Sequence, residues 1–374
     1  MPVARDFFPT FYELAISENP WVLYEGLIGW LEEIKGEGSA LDHLMSGVDI
    51  EALHSEIESD RDAQLAKGSM IDAYYSFRAY NELVFLFASV LNEIQNGPVS
   101  AAHTRLADAL SPGDAVVTFN WDTLLDRALA EVTGWRPDWG YGVRPNQVFH
   151  NGWREAAGEP VIGAPRLVKL HGSTNWLTAY PAPDETGKIR LTHELDPSAF
   201  NVFVQADEPY DCYAGRYMSG YGPYSYGYYP PNLGFPGRPA PAGHAFASVR
   251  MKAPWKPEGQ AGSRGLVSMP LIIPPVKHKT YDMFGGLFGR LWQDAEDLLA
   301  EADEIVVIGY SFPVTDIQSD QLFRRAFMRR RTMPAVTIID PVPDRAASVF
   351  RDQLGIREPA LTVRAEYFTQ DTAI

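Results

Sequence analysis

Four short polar clusters hold the side chains that could do chemistry. Thr118-Phe119-Asn120-Trp121-Asp122 sets an amide and a carboxylate two residues apart, so both can face one crevice from the end of a strand. The structural alternative is that Asp122 caps a following helix. Lys169-Leu170-His171-Gly172-Ser173 offers an imidazole that can serve as acid, base or hydroxyl-binding group near neutral pH, beside a glycine that lets backbone approach a ligand closely. A single histidine beside a strand is also the pattern of a hydrogen-bonded core residue. Gly309-Tyr310-Ser311 reads as a strand-to-helix turn, whose N–H groups and positive helix end suit phosphate. Asp340 follows a later strand, where a carboxylate can accept hydrogen bonds from both hydroxyls of a ribose. Each cluster alone is a weak signal. Together they describe the parts of a nucleotide site.

For the clusters to meet, strands must carry them to one edge of a sheet. Ala115-Val116-Val117-Thr118-Phe119 is a continuous apolar run, which is how a strand buried on both faces of a parallel sheet reads. Leu124, Leu125, Ala128 and Leu129 follow as a helical stripe. Leu167 to Leu170, Ile305 to Ile308 and Val336 to Ile339 repeat the pattern of strand and polar turn. Helices are expected from about Asp316 and from Arg345 to Phe350. This alternation predicts an α/β fold, a parallel sheet with helices on both faces and each polar cluster at a strand's carboxyl end.

Residues 12–97 read as a helical submodule. Trp21 to Ile34 carries Leu23, Leu27, Leu31 and Ile34 on one stripe. A second helix from about Met70 to Gln95 carries Phe77, Tyr80, Val84, Phe87, Leu91 and Ile94, and Gly97-Pro98 ends it. Both stripes read as core-facing. Between residues 178 and 268 both periods are lost, and tyrosines from Tyr210 to Tyr229 alternate with Gly and Pro, so a long irregular insertion is expected. The domain reading is a core of residues 1–177 and 269–374 interrupted by an insertion at 178–268.

Composition narrows the function classes. The 374 residues include 32 Lys and Arg against 48 Asp and Glu, a net charge of −16 that repels phosphate backbones, so no direct nucleic-acid binding is expected. Cys212 is the only cysteine, which excludes an intramolecular disulfide and a cysteine-rich zinc cage. The most apolar run, Leu83 to Leu91, is less than half of the roughly 20 residues a membrane span needs. The first residues lack a basic start followed by an apolar core, so a cytoplasmic protein with no membrane association is expected. Arg324, Arg325 and Arg329-Arg330-Arg331 read as a solvated helix face near a helix C-terminus.

The ordered set of clusters resembles the sirtuin-like superfamily, specifically its bacterial branch found in defence against phage. The matching segments are Thr118 to Asp122, Lys169 to Trp176, Leu271 to Pro275 with Lys279, and Ile308 to Pro313 with Asp316. They cover roughly residues 115–177 and 270–345. The resemblance implies a Rossmann-like core that binds NAD. It implies that Asn120 holds the nicotinamide ribose or a water, and that His171 contacts ribose hydroxyls and serves as base. It also implies that Gly309 and Ser311 meet the phosphates and that Asp340 meets the adenosine ribose, with Gly172, Ser173 and Arg5 as further cofactor contacts. That family opens with a strand and a Gly-Ala-Gly-x-Ser turn that cradles the pyrophosphate. Met1 to Phe8 is similar to the segment after that turn, so the expectation is that the first strand and its glycine-rich loop are missing here.

The deacylases of the superfamily carry a four-cysteine zinc ribbon, which a chain with Cys212 alone cannot build. The leading expectation is therefore an NAD glycohydrolase that releases nicotinamide and ADP-ribose as a toxic or antiphage effector. NAD is its substrate, Asn120, His171 and Asp122 are its catalytic residues, and no metal is required. The alternative is a module that binds NAD or ADP-ribose, or assembles with a partner, without turnover. A protein deacylase is the third reading. The resemblance implies regulation by homo-oligomerisation, or by an ATPase or nucleic-acid-sensing partner.

Overall fold

The chain's architecture was taken from a computed structural model, which describes residues 6–13, 26–95, 98–149, 153–160, 162–179, 181–183, 189–191, 200–204, 226–229, 247–250, 268–274, 284, 286–312 and 316–374. The first region is helical. α1 (Phe7–Glu13) buries Phe7, Phe8 and Phe11. A helical stretch at 26–29 runs into a π-turn at Trp30–Ile34, and α2 (Ala40–Met45) follows. α3 (Ile50–Ala66) starts where the Asp49 side chain accepts from the N–H groups of Glu51 and Ala52. It turns back through Gly68, held at φ +75°, into α4 (Met70–Gln95). The α4 boundaries are those the apolar spacing predicts. Its stripe is buried at Phe77, Val84, Phe87 and Leu91, whereas Ile94, like Ile34 of the earlier stripe, is exposed. Leu23 and Gly97 lie outside the described residues.

The second region mixes strands and helices. α5 (Ala101–Ala109) leads to β1 (Ala115–Thr118), and α6 (Leu124–Thr133) follows with Leu125, Ala128 and Leu129 inward. β2 (Gln147–Phe149) and β3 (Trp153–Glu155) precede β4 (Arg166–Lys169), which pairs in parallel with β1. No helix follows β4. The chain enters β5 (Gly172–Ala179) after one tight turn, so here the expected strand–turn–helix unit is replaced by strand–turn–strand. β5 pairs antiparallel with a distant segment instead of crossing back over the first sheet.

The stretch expected to be irregular contributes strands. β6 (Pro181–Pro183) pairs with β7 (Ile189–Leu191), β8 (Asn201–Phe203) buries Val202 next to buried Phe200, and β9 (Tyr226–Tyr229) pairs with β10 (Ala247–Arg250). β11 (Ser268–Ile272) joins β5, β8, β2 and β3 in a mixed sheet of order β11-β5-β8-β2-β3. The short period-free segments earn their strand form from pairing across the sheet, a non-local cause that local spacing does not carry.

α7 (Gly286–Glu301) and β12 (Glu304–Ile308) begin the last part, followed by α8 (Ile317–Met328), β13 (Ala335–Ile339), α9 (Asp344–Ser348) and β14 (Leu361–Arg364). β12, β13 and β14 form a second parallel sheet in chain order. The fold is therefore mixed α/β with parallel sheets and helices. The strands are divided, among the described residues, between separate sheets and do not form one continuous sheet. Among the described residues, β1 pairs only with β4 and β12 only with β13. β1 is half-buried throughout, and β12, at the edge of its sheet, exposes Val306 while burying Ile305 and Val307. β4, by contrast, buries Leu167, Val168 and Lys169 in succession. Arg324, Arg325, Arg329 and Arg331 are exposed, as the sequence predicts, and some also pair at the surface: Arg325 on α8 and Arg329 just after it pair with Glu296, and Arg330 donates to the Leu299 carbonyl near the end of α7.

Among the described residues two apolar clusters result. One gathers the helical region around Phe7, Trp30, Leu53 and Phe87. The other joins α6, α7 and α8 to the strands through Leu129, Val168, Leu291, Val307 and Phe323. Trp121 packs on the first and Phe119 on the second, so the Asn120 turn lies where they meet. No described helix is long and apolar enough to cross a membrane.

Candidate functional site

The turn after β1 is clamped from behind. The buried Lys169 ammonium donates to the Asp122 carbonyl and to Asp126 Oδ2 at 2.9 Å. The same Asp126 carboxylate accepts from the Tyr141 hydroxyl, whose oxygen accepts from Asn175 Nδ2 at 3.2 Å. Burial, then the Asp126 charge, push the Tyr141 hydroxyl well above its ordinary pKa, so it stays a donor. From the helical region, Gln95 Oε1 accepts from Thr123 N at 2.7 Å while its Nε2 donates to Thr174 Oγ1 at 3.2 Å. The Trp121 carbonyl accepts from Thr174 N at 2.8 Å and from Ser173 Oγ at 3.2 Å, and Trp121 Nε1 donates to the Ile273 carbonyl at 3.0 Å.

These bonds settle several placements. Ser173 is fully buried and spends its hydroxyl on the Trp121 carbonyl. Gly172 sits at φ +77°, and a Cβ there would lie 2.0 Å from the Leu271 carbonyl oxygen. What it admits closely is a neighbouring strand, so no ligand is needed to explain this glycine. Asp122 Oδ1 accepts from Leu124 N at 3.1 Å and so closes its own turn; the N-cap position expected for it falls to Thr123, whose side chain makes no capping bond. Asn120 is exposed on the same turn, its N–H bonded to Thr118 Oγ1 at 3.1 Å.

His171 is 4% exposed and ringed by aromatic side chains. Its imidazole centroid lies 5.5 Å from Phe119, 6.0 Å from Trp121 in a stacked arrangement, and 6.1 Å from Trp292. Nε2 is 4.0 Å from Asp316 Oδ2. Tyr310 closes the group. Its ring stacks on Phe119 at 4.3 Å, and its hydroxyl lies 2.6 Å from Ser319 Oγ and 3.3 Å from Asp316 Oδ2. Burial, then the Asp316 charge, raise the Tyr310 pKa.

No model of a known protein family matches this chain, and no curated protein matches it. The geometry is thus the material for a functional reading.

The other expected contacts are distributed unevenly. Gly309 (φ +62°) and Ser311 are exposed at the end of β12, and Phe312 holds φ +51°, a strained conformation for a residue with a side chain. The Phe312 ring is buried against Tyr310, Phe323 and Phe350, and its carbonyl accepts from Arg345 Nε, which holds the strained turn in place. Asp340 is largely buried, and its Oδ1 accepts from Val342 N at 2.7 Å, closing its own turn. Arg5 lies outside the described residues.

The structure therefore brings His171 together with Phe119, Trp121, Trp292, Tyr310 and Asp316, with Asn120 between two of the enclosing rings in sequence. Sequence reasoning missed Gln95, Asp126, Tyr141 and Trp292. Gln95 was legible as a polar residue ending an apolar helix. Asp126 sits within an apolar helical stripe, and a charge there calls for a buried partner. Nothing local marks Tyr141 or Trp292. His103 also approaches the turn. Burial lowers its pKa, opposed by the charges of Asp122 and Asp126.

Proposed function

We propose that this chain is an NAD glycohydrolase on a Rossmann-like, sirtuin-like core, acting as an antiphage or otherwise toxic effector. The observation that carries the reading is the convergence of three distant motifs on one group: the Phe119-Asn120-Trp121 turn, His171, and the Tyr310–Asp316 pair. The overall reaction is NAD plus water giving nicotinamide, ADP-ribose and a proton. The bond from ribose C1′ to the nicotinamide nitrogen breaks with its electron pair leaving on nicotinamide, through an oxocarbenium-like state. The exposed Asn120 amide would position the water, which forms the new C1′–O bond. His171 would engage the ribose hydroxyls and take up the water's proton. An aromatic enclosure suits the flat cationic nicotinamide ring and excludes bulk water. Asp122 would act through the turn it closes.

The test is to incubate purified protein with NAD and separate nicotinamide and ADP-ribose by chromatography. Asn120→Ala and His171→Ala are each expected to lower the rate by about 10²-fold or more. Absence of both products from the wild-type chain would overturn the reading.

A second reading, a module that binds NAD or ADP-ribose without turnover, has its own support. His171 is almost fully covered and the Asp340 carboxylate is engaged by its own turn, so two groups meant for ribose are partly occupied. Calorimetric NAD binding that Asn120→Ala leaves unchanged, with no nicotinamide formed, would favour it over hydrolysis.

A further inference from the structure

We infer that Asp316 is the positioning residue for His171, a carboxylate that fixes the imidazole's tautomer and ring orientation. Asp316 stands at the N-cap of α8, where an aspartate ordinarily accepts hydrogen bonds from the first N–H groups of the helix. Its side chain makes no such bond. The cap is used differently: the Asp316 carbonyl accepts from Ser319 Oγ at 2.8 Å, and the carboxylate turns inward, 6% exposed, toward Tyr310 and His171. Forgoing a favourable cap to bury a carboxylate is explained if the carboxylate has a partner inside. One group so placed is His171, whose Nε2 lies 4.0 Å from Oδ2.

Its supports are rigid. Tyr310, stacked on Phe119, fixes the carboxylate from one side, and the Ser319 hydroxyl ties Tyr310 to the first turn of α8. The His171 carbonyl accepts from Ile273 N at 2.8 Å, which fixes the imidazole's backbone. A carboxylate facing Nε2 selects the tautomer protonated there. Nδ1 is then the nitrogen that accepts a proton, and the carboxylate stabilises the imidazolium that forms. In this arrangement one proton moves, and it moves to Nδ1.

The kinetic part of this inference rests on the NAD-hydrolysis reading; the tautomer part does not. The experiment is ¹⁵N–¹H correlation spectroscopy of histidine-labelled protein, with His171→Gln identifying the His171 signals. The wild-type chain is expected to show His171 protonated on Nε2. Asp316→Asn is expected to move it away from that pattern and to lower kcat for nicotinamide release by about 10²-fold or more with KM within about twofold. Ser319→Ala, with the carboxylate retained, is expected to keep the wild-type tautomer. A wild-type His171 protonated on Nδ1, or a pattern that Asp316→Asn leaves unchanged, overturns the inference. The wild-type spectrum decides it even if Asp316→Asn does not fold. A tautomer change in a protein that releases no nicotinamide keeps the positioning role and removes the enzymatic reading. Hydrolysis unaffected by Asp316→Asn does the reverse.

Discussion

Both halves of the molecule bury charged and polar groups, and they use them differently. In the helical region buried Glu82 and half-buried Asp60 tie one helix to another. The Glu82 carboxylate accepts from Leu27 N at 3.0 Å and from Arg78 Nε at 2.9 Å. Asp60 accepts from Trp30 Nε1, Gln64 and Ser76, which hold its pKa low against the upward push of its burial. In the α/β region Lys169, Asp126 and Tyr141, joined by Gln95 from the end of α4, all lead to one short turn, Trp121 to Thr123. Helices need few polar ties because their apolar stripes already fix them. A turn with an exposed side chain has no stripe, so its geometry must come from buried donors and acceptors. Polar burial spent on a loop marks that loop as one whose exact position matters.

This contrast is sharpest at Lys169. Replacing it with Met leaves Asp126 buried without its cation and is expected to cost about 3–5 kcal/mol in urea unfolding. Adding Asp126→Leu should recover much of that stability without restoring the turn. If Lys169→Met costs under about 1 kcal/mol, the network is ornamental and the comparison fails.

Gly172→Ala probes the strand that backs the same turn. The left-handed backbone and the Leu271 carbonyl 2.0 Å from the new Cβ together are expected to cost about 2–4 kcal/mol. Wild-type stability in this variant would show that β5 and β11 can part freely.

In the helical region the expected signature is pH dependence. Burial pushes the Glu82 carboxyl up from 4.5 to about 7, against the downward pull of Arg78 and the Leu27 N–H. A carboxyl raised on folding holds its proton more tightly in the native state. Its contribution is therefore greatest below about pH 4.5 and is lost as pH rises through about 7. Buried His54, lowered to about 3 by desolvation, titrates over an overlapping range with the opposite sign. The difference between wild type and Glu82→Gln removes the His54 contribution. The stability of Glu82→Gln relative to wild type should rise across that window by up to ~3 kcal/mol, at about 1.4 kcal/mol per pKa unit. A flat difference would mean that Arg78 neutralises Glu82 fully and that the helical region holds true ion pairs.

The smallest effect is expected at Asp340. Its bond to Val342 N closes one exposed turn, so Asp340→Ala should cost about 1 kcal/mol in thermal or urea unfolding. A fall in NAD affinity beyond that loss would show that its second carboxylate oxygen also serves a ligand.

The sequence by itself determined the local elements. The α4 stripe, the β1, β12 and β13 runs and the turns after them follow from side-chain period, because helix and strand spacing are short-range properties. It also marked Asn120, His171 and the Gly309 turn as polar groups at strand ends. Only the tertiary structure decided their uses. Gly172 and Ser173 looked like ligand contacts and became supports of the turn, while Asp316, read as the place where a helix begins, turns its carboxylate toward His171. It also decided that β1 and β12 end up in separate sheets and that Phe200 and Val202, in a stretch without period, join the core. A buried polar group is defined by the partner that satisfies it. The partners of Lys169, His171 and Gln95 stand 43, 145 and 28 residues away, a separation that no local pattern encodes.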